Sequence, residues 1–313
     1  MKKSAFALSA VLSLAAMPAA SGPYTDLYVF GDSLVDAGNI SVLTGGAVPS
    51  AALGYFNGRF TNGPDYTDLL SRALFYNFTT ASLAGGDNFA FGGARVANNS
   101  VFSGASFDTI PDLGAQVASY LARSGGVADP NALYAITATG NDIFAIQAGR
   151  INGMSEADYI ELVTDTFAAN IIALDAAGAR NILVTGVPNL GVAAAVALET
   201  SLLARLATLS LEAELFHFSF FDFFSTILTD PDSLGLPVQD LSVRCMDVRP
   251  VIDGRVDCTG IFSFDGTHFS GEVHAALYRE IGRLVGVPEP AALALFGLGL
   301  CALGLRRRQR LPV

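Results

Sequence analysis

Short, unbroken apolar runs alternate along this chain with longer stretches in which apolar positions recur every three or four residues. The runs at 27–30, 133–138 and 181–185 predict strands buried on both faces, because a strand with one wet face would alternate apolar and polar positions. A fourth short run, 88–91, ends at Gly92-Gly93. The helical rhythm predicts helices over 65–74, 112–123, 156–177, 199–216 and 271–285. Gly178 suits the left-handed residue that ends the third of these, and Ser270 suits the N-cap of the last. Apolar strands separated by helices predict an α/β fold with a mainly parallel sheet covered on both faces. Such sheets bind ligands beyond the carboxyl ends of their strands. Ser33, Gly92 and Asn141 each follow an apolar run and are therefore candidates.

The two ends follow a different pattern. Residues 1–22 read as a secretory signal peptide: Lys2 and Lys3, an apolar stretch too short to span a bilayer, and small residues that suit cleavage after Ala20 or Gly22. Residues 286–313 hold Pro288-Glu289-Pro290, an apolar run from 291 to 305, and Arg306, Arg307, Arg308 and Arg310. The body between them, 23–285, is long enough for one domain with a full core, and no linker or repeat divides it. The whole chain has a net charge of −11. Setting aside Lys2, Lys3 and the four terminal arginines leaves 12 of the 18 basic residues, against 28 carboxylates in the body. That balance excludes nucleic acid and an anionic membrane surface as expected partners, since both need basic patches. Export also sets the expectation for cysteine. Cys301 lies in the apolar tail, and Cys245 with Cys258 is expected to form a disulfide rather than a metal site.

Serine-based acyl transfer needs a nucleophile, a base, a carboxylate to orient the base, and donors for the oxyanion. Three histidines are available. His217 lies in an aromatic stretch and reads as a packed core or groove residue. His274 falls within the last helix and reads as a helix-face residue. His268 sits in a loop three residues after Asp265, where a turn at Gly266-Thr267 brings the carboxylate to one ring nitrogen and leaves the other for a serine. The phenylalanines of 216–224 are read as core, with an acyl groove as the alternative. No Gly-x-Ser-x-Gly elbow is present.

These pieces resemble the GDSL, or SGNH, hydrolase superfamily in its lipase/acylhydrolase branch. Gly31-Asp32-Ser33-Leu34, Asn88-Phe89-Ala90-Phe91-Gly92-Gly93-Ala94, Thr139-Gly140-Asn141-Asp142 and Asp265-Gly266-Thr267-His268 look like its conserved blocks, in order. Gly58-Arg59-Phe60-Thr61-Asn62-Gly63 and the stretch 177–191 add to the likeness. The resemblance implies a three-layer α/β/α sandwich of flavodoxin-like type. It implies Ser33 as nucleophile, His268 as base then acid, and Asp265 as its orienter. The oxyanion donors would be the N–H groups of Ser33 and Gly92 with the Asn141 amide, although the residues leave Gly92 and Gly93 open as alternatives. Asp32 and Asp142 are expected to brace the loops. One departure stands out: Thr139 occupies the place where the family usually has glycine. The C-terminal end resembles the PEP-CTERM sorting signal of Gram-negative bacteria, which implies processing by an exosortase and a life at the cell envelope or in the extracellular matrix. The expectation is an exported ester hydrolase without a cofactor, acting on a small-molecule, lipid or glycan ester. O-acetyl groups on exopolysaccharide are one alternative, and a binding protein that has lost catalysis is another.

Overall fold

The computed structural model describes residues 23–98, 110–188 and 191–287. The expected leader and all but the first two residues of the expected sorting tail lie outside the described residues. Four parallel strands, β1 (Leu27–Gly31), β2 (Leu133–Thr137), β3 (Asn181–Thr185) and β4 (Glu214–Phe218), form a sheet in the order β1-β2-β3-β4. The run at 88–91 lies along the outer edge of β1. There Phe89 N donates to Val29 O at 2.7 Å and Phe91 N to Gly31 O at 3.1 Å. The second extended segment of the chain thus lies outside the first, the flavodoxin-like order. The chain reverses direction across the sheet between β1 and β2, which is where such folds bind ligands.

Among the described residues the α-helices are α1 (Asn39–Leu43), α2 (Tyr66–Phe75), α3 (Leu113–Arg123), α4 (Gly140–Gln147), α5 (Glu156–Ala177), α6 (Ala193–Leu206), α7 (Phe220–Thr229), α8 (Cys245–Val248) and α9 (Gly271–Leu284). Strand side chains alternate between two cores. Phe30, Tyr134, Ile136, Ile182 and Val184 pack with α3, α5 and α6 on one face. Leu27, Val29, Leu133, Ala135 and Leu183 pack with α2, α7 and α9 on the other. This is the three-layer sandwich expected. Helix boundaries follow local caps: Asp65, Asp112 and Ser155 accept backbone N–H bonds at the starts of α2, α3 and α5, and Gly178 ends α5 at φ 113°. Ser270 holds the N-cap position of α9 without a side-chain cap bond.

One expected element divides in two. The helix predicted over 199–216 begins earlier, at Ala193, and ends at Leu206; Glu214–Phe218 is instead the edge strand β4, paired with β3. The linking residues, 207–213, hold no glycine or proline to mark the stop. The aromatic stretch after it is core. Phe218, Phe220 and Phe223 are buried, and Phe220 and Phe224 pack on Phe269.

A small parallel pair, β5 (Asp240–Arg244) with β6 (Ile261–Ser263), stands apart from the main sheet. The Cys245–Cys258 disulfide is formed and ties this region together. The chain leaves β6 into a tight loop, in which Phe264 N donates to His268 O and Ser270 N to Phe262 O, both at 2.8 Å, and then enters α9. Among the described residues no helix is long and apolar enough to cross a membrane.

Candidate active site

The site begins where β1 ends. Gly31 has φ 148°, and a Cβ there would fall 1.9 Å from Thr137 O, so no other residue can let β1 run this close to β2. Gln116 of α3 clamps the same residue on both sides, accepting from Gly31 N at 2.8 Å and donating to Gly31 O at 2.9 Å. Ser33 therefore leaves the sheet at a fixed position. Its Oγ lies 2.8 Å from His268 Nε2, and His268 Nδ1 lies 2.7 Å from Asp265 Oδ2. The loop holds this pair locally: Asp265 Oδ1 accepts from Thr267 N at 2.9 Å and His268 N at 2.8 Å. Burial opposes the charge on Asp265, but its bonds and attraction to His268, with the two backbone N–H groups, outweigh burial and hold its pKa at about 2. Tyr55 donates a further hydrogen bond to Asp265 Oδ2 at 2.8 Å. The sequence carried no signal for Tyr55, which lies in a loop 210 residues away.

The oxyanion side requires one correction. Gly92 N–H already donates to Asp36 Oδ2 at 2.9 Å, so it is not the expected donor. Asp36 is fully buried and gathers the N–H groups of Gly38, Asn39 and Ile40 on the same carboxylate. Gly92 is needed for close packing: a Cβ there would sit 2.5 Å from the Phe60 ring, which lies 5.2 Å from the His268 ring. Gly93, the next residue, borders a cavity together with Ser33, Asn141 and His268. Among the described residues, neither Ser33 N–H nor Gly93 N–H donates to another group. Asn141 stands in the first turn of α4, and one N–H of its amide donates to Ala94 O at 2.9 Å, leaving the other available.

The expected bracing residues are both buried. Asp32 accepts from Leu34 N at 3.0 Å. Burial pushes its carboxyl up to about 7, although the Leu34 and Gly140 N–H groups and the charge of His268 act against it. Asp142 accepts from Val96 N at 2.8 Å, Ala97 N at 3.2 Å and Tyr159 Oη at 2.9 Å. It thereby ties α4 to the loop that carries Gly93. Burial raises its carboxyl to about 6.

The other two histidines lie elsewhere. His217 is on β4, half-buried, with Nε2 3.2 Å from Glu199 Oε1 but not aligned for a hydrogen bond. His274 is on α9, as expected, and that helix face is turned to the interior. Burial, with a smaller contribution from the charge of His268, lowers its pKa to about 3 and keeps it neutral.

Two cavities meet at Ser33 and His268. One, of ≈280 Å³, is walled mainly by apolar groups: Leu34, Ile143, Phe144, Pro188, Val192 and Phe269. No residue of 216–224 lines it, so the acyl-groove alternative for that stretch is not what the fold builds. The other, of ≈390 Å³, is bordered by Phe60, Gly93, Arg95 and Arg150. Among the described residues no cluster of three or more His, Cys, Asp or Glu side chains could hold a metal ion.

A family model described as GDSL-like Lipase/Acylhydrolase matches residues 27–281, and one described as PEP-CTERM protein-sorting motif matches residues 286–308. The chain is 32% identical over 178 residues to Lipase 1 of Photorhabdus luminescens, covering 54% of this chain and 23% of that protein. It is 37% identical over 106 residues to Acetylajmalan esterase 2 of Rauvolfia serpentina, covering 29% of each. It is 30% identical over 194 residues to Phosphatidylcholine-sterol acyltransferase of Aeromonas hydrophila, covering 61% of this chain and 53% of that protein. The chain thus spans roughly a quarter to a half of the length of these relatives. The sorting motif implies an exported, cell-surface protein.

Proposed function

The chain belongs to the GDSL-like lipase/acylhydrolase family, and from that premise we propose that it is an exported serine ester hydrolase. The observation that carries the reading is the continuous hydrogen-bonded line from Asp265 through His268 to Ser33 Oγ, with both links between 2.7 and 2.8 Å. In the first half-reaction Ser33 Oγ attacks the ester carbonyl carbon and its proton passes to His268 Nε2. The oxyanion is held by Ser33 N–H, Gly93 N–H and the second amide N–H of Asn141. As the intermediate collapses, the carbon–oxygen bond to the alcohol breaks and His268 Nε2 returns the proton to the departing oxygen. The acyl group remains on Ser33. Water then attacks the acyl-enzyme, giving its proton to His268, and the acid leaves as Ser33 Oγ regains a proton. Asp265 keeps the imidazole oriented and stabilises its charge, and Tyr55 steadies Asp265.

The apolar cavity suits the acyl side of a carboxylic ester. The sorting motif supports work at the envelope or matrix of a Gram-negative cell, with transient C-terminal anchoring before exosortase processing. Ser33→Ala and His268→Ala should each abolish turnover of p-nitrophenyl butyrate, a loss of ~10³-fold or more, while leaving the fold intact by circular dichroism. Full turnover in Ser33→Ala would overturn the assignment.

A further inference from the structure

We propose that the second cavity is an anion-binding subsite for the alcohol part of the ester, formed by Arg95 and Arg150; this rests on the esterase reading. The two cavities share Ser33, Asn141, Phe144, Thr267 and His268. An ester carbonyl at Ser33 therefore sends one substituent into each. The apolar cavity takes the acyl chain, so the alcohol lies on the arginine side. His268 borders both, as it must to protonate the departing oxygen.

The arginine side has an unusual charge for this chain. The body holds 28 carboxylates and 12 arginines, yet two of those arginines and no carboxylate border this cavity. Arg95 is only 7% exposed, and its Nη1 donates to Arg150 O at 3.3 Å. Asp142 lies behind it, where the charge of Arg95 favours the ionised carboxylate. Arg150 is exposed at the rim, and among the described residues no acidic side chain pairs with its guanidinium. A guanidinium presents a planar fork that matches phosphate and carboxylate oxygens. An acidic protein repels anionic ligands at long range, so a local cation pair beside the nucleophile selects for them at contact. The substrate class is an ester whose alcohol carries a phosphate or carboxylate a few bonds beyond the ester oxygen.

The test compares kcat/KM for matched esters that differ in that charge. One pair is 1-butyryl-glycerol 3-phosphate against monobutyrin; the other is O-acetylated galacturonic acid against O-acetylated galactose. The anionic member should be preferred by ~10-fold or more in at least one pair, the equivalent of one charge-assisted hydrogen bond. Which pair shows it identifies phosphate or carboxylate as the recognised group. Arg150→Ala should remove most of that preference and Arg150→Glu should reverse it. Arg205→Ala, on the surface of α6 and paired with Asp165, should leave it in place. Equal rates within both pairs, or a preference that survives Arg150→Ala, would overturn the subsite. Failure of the unaltered protein to hydrolyse any of the four esters would overturn the esterase reading instead.

Discussion

Thr139 holds a backbone conformation that side chains rarely adopt, with φ 98° and ψ −23°, at the turn between β2 and α4. It is fully buried, and its hydroxyl has no hydrogen-bond partner among the described residues. The glycine that the family resemblance implies at this place would adopt the same conformation without strain. Strain of this kind costs about 1–3 kcal/mol, and a buried unpaired hydroxyl adds a further cost of about 1–3 kcal/mol. Glycine would relieve both, against about 0.5–1 kcal/mol of extra backbone entropy and the packing of one methyl. Thr139→Gly should therefore stabilise the protein by about 1 kcal/mol or more, read as a higher urea midpoint with an unchanged slope; a lower midpoint would refute the account. At this scale the sequence was informative where chemistry depends on near neighbours. Asp265 and His268 are three residues apart, and a single turn brings them together. It was uninformative where the contact is remote, as for Tyr55, or where the direction of one N–H matters, as between Gly92 and Gly93. Only the position of Asp36 decides that direction.

The elements that carry these residues are braced from their first turns. Asp142 sits one residue after Asn141 in α4 and reaches across to the N–H groups of Val96 and Ala97 and the hydroxyl of Tyr159. Its two oxygens accept three hydrogen bonds, so an amide in its place must turn an N–H toward a donor. Asp142→Asn should cost about 1–3 kcal/mol of stability and should lower kcat more than it raises KM, because Gly93 and Asn141 lose their common brace while the apolar cavity stays whole. A variant with lower stability but unaltered kcat would confine Asp142 to a structural role. Element boundaries were legible where caps or glycines stand, as at Asp65, Asp112, Ser155 and Gly178. They were not legible between α6 and β4. There the helical rhythm from Glu199 runs into Leu215, Phe216 and Phe218, whose apolar character suits helix and strand alike. Pairing with β3, a tertiary contact, decides the outcome.

Across the whole molecule, buried carboxylates tie stability to pH. The fold class was readable because strands buried on both faces cannot alternate, but the ionisation of these groups depends on burial that no local pattern records. Burial raises Asp32 and Asp65 to about 7 and Asp142 to about 6. In the unfolded chain such groups titrate at about 4. Between pH ~4 and ~7 the folded protein thus holds more protons than the unfolded one, and stability falls as pH rises through that window. His274, with a folded pKa of about 3, acts in the opposite sense below pH ~6.5, and so does Asp265. Its folded pKa of about 2 gives a contribution that is present above pH ~4 and lost as pH falls toward 2. The melting temperature should therefore be higher near pH ~5 than near pH ~7.5, with a decline below pH ~4. Net negative charge would give a trend of the same sign above pH ~5, but salt screens surface repulsion far more than it screens buried groups. Calorimetry at about 0.5 M salt separates the two. A slope that persists there, and that shrinks in Asp32→Asn, assigns the effect to the buried carboxylates. A slope abolished by salt assigns it to the acidic surface.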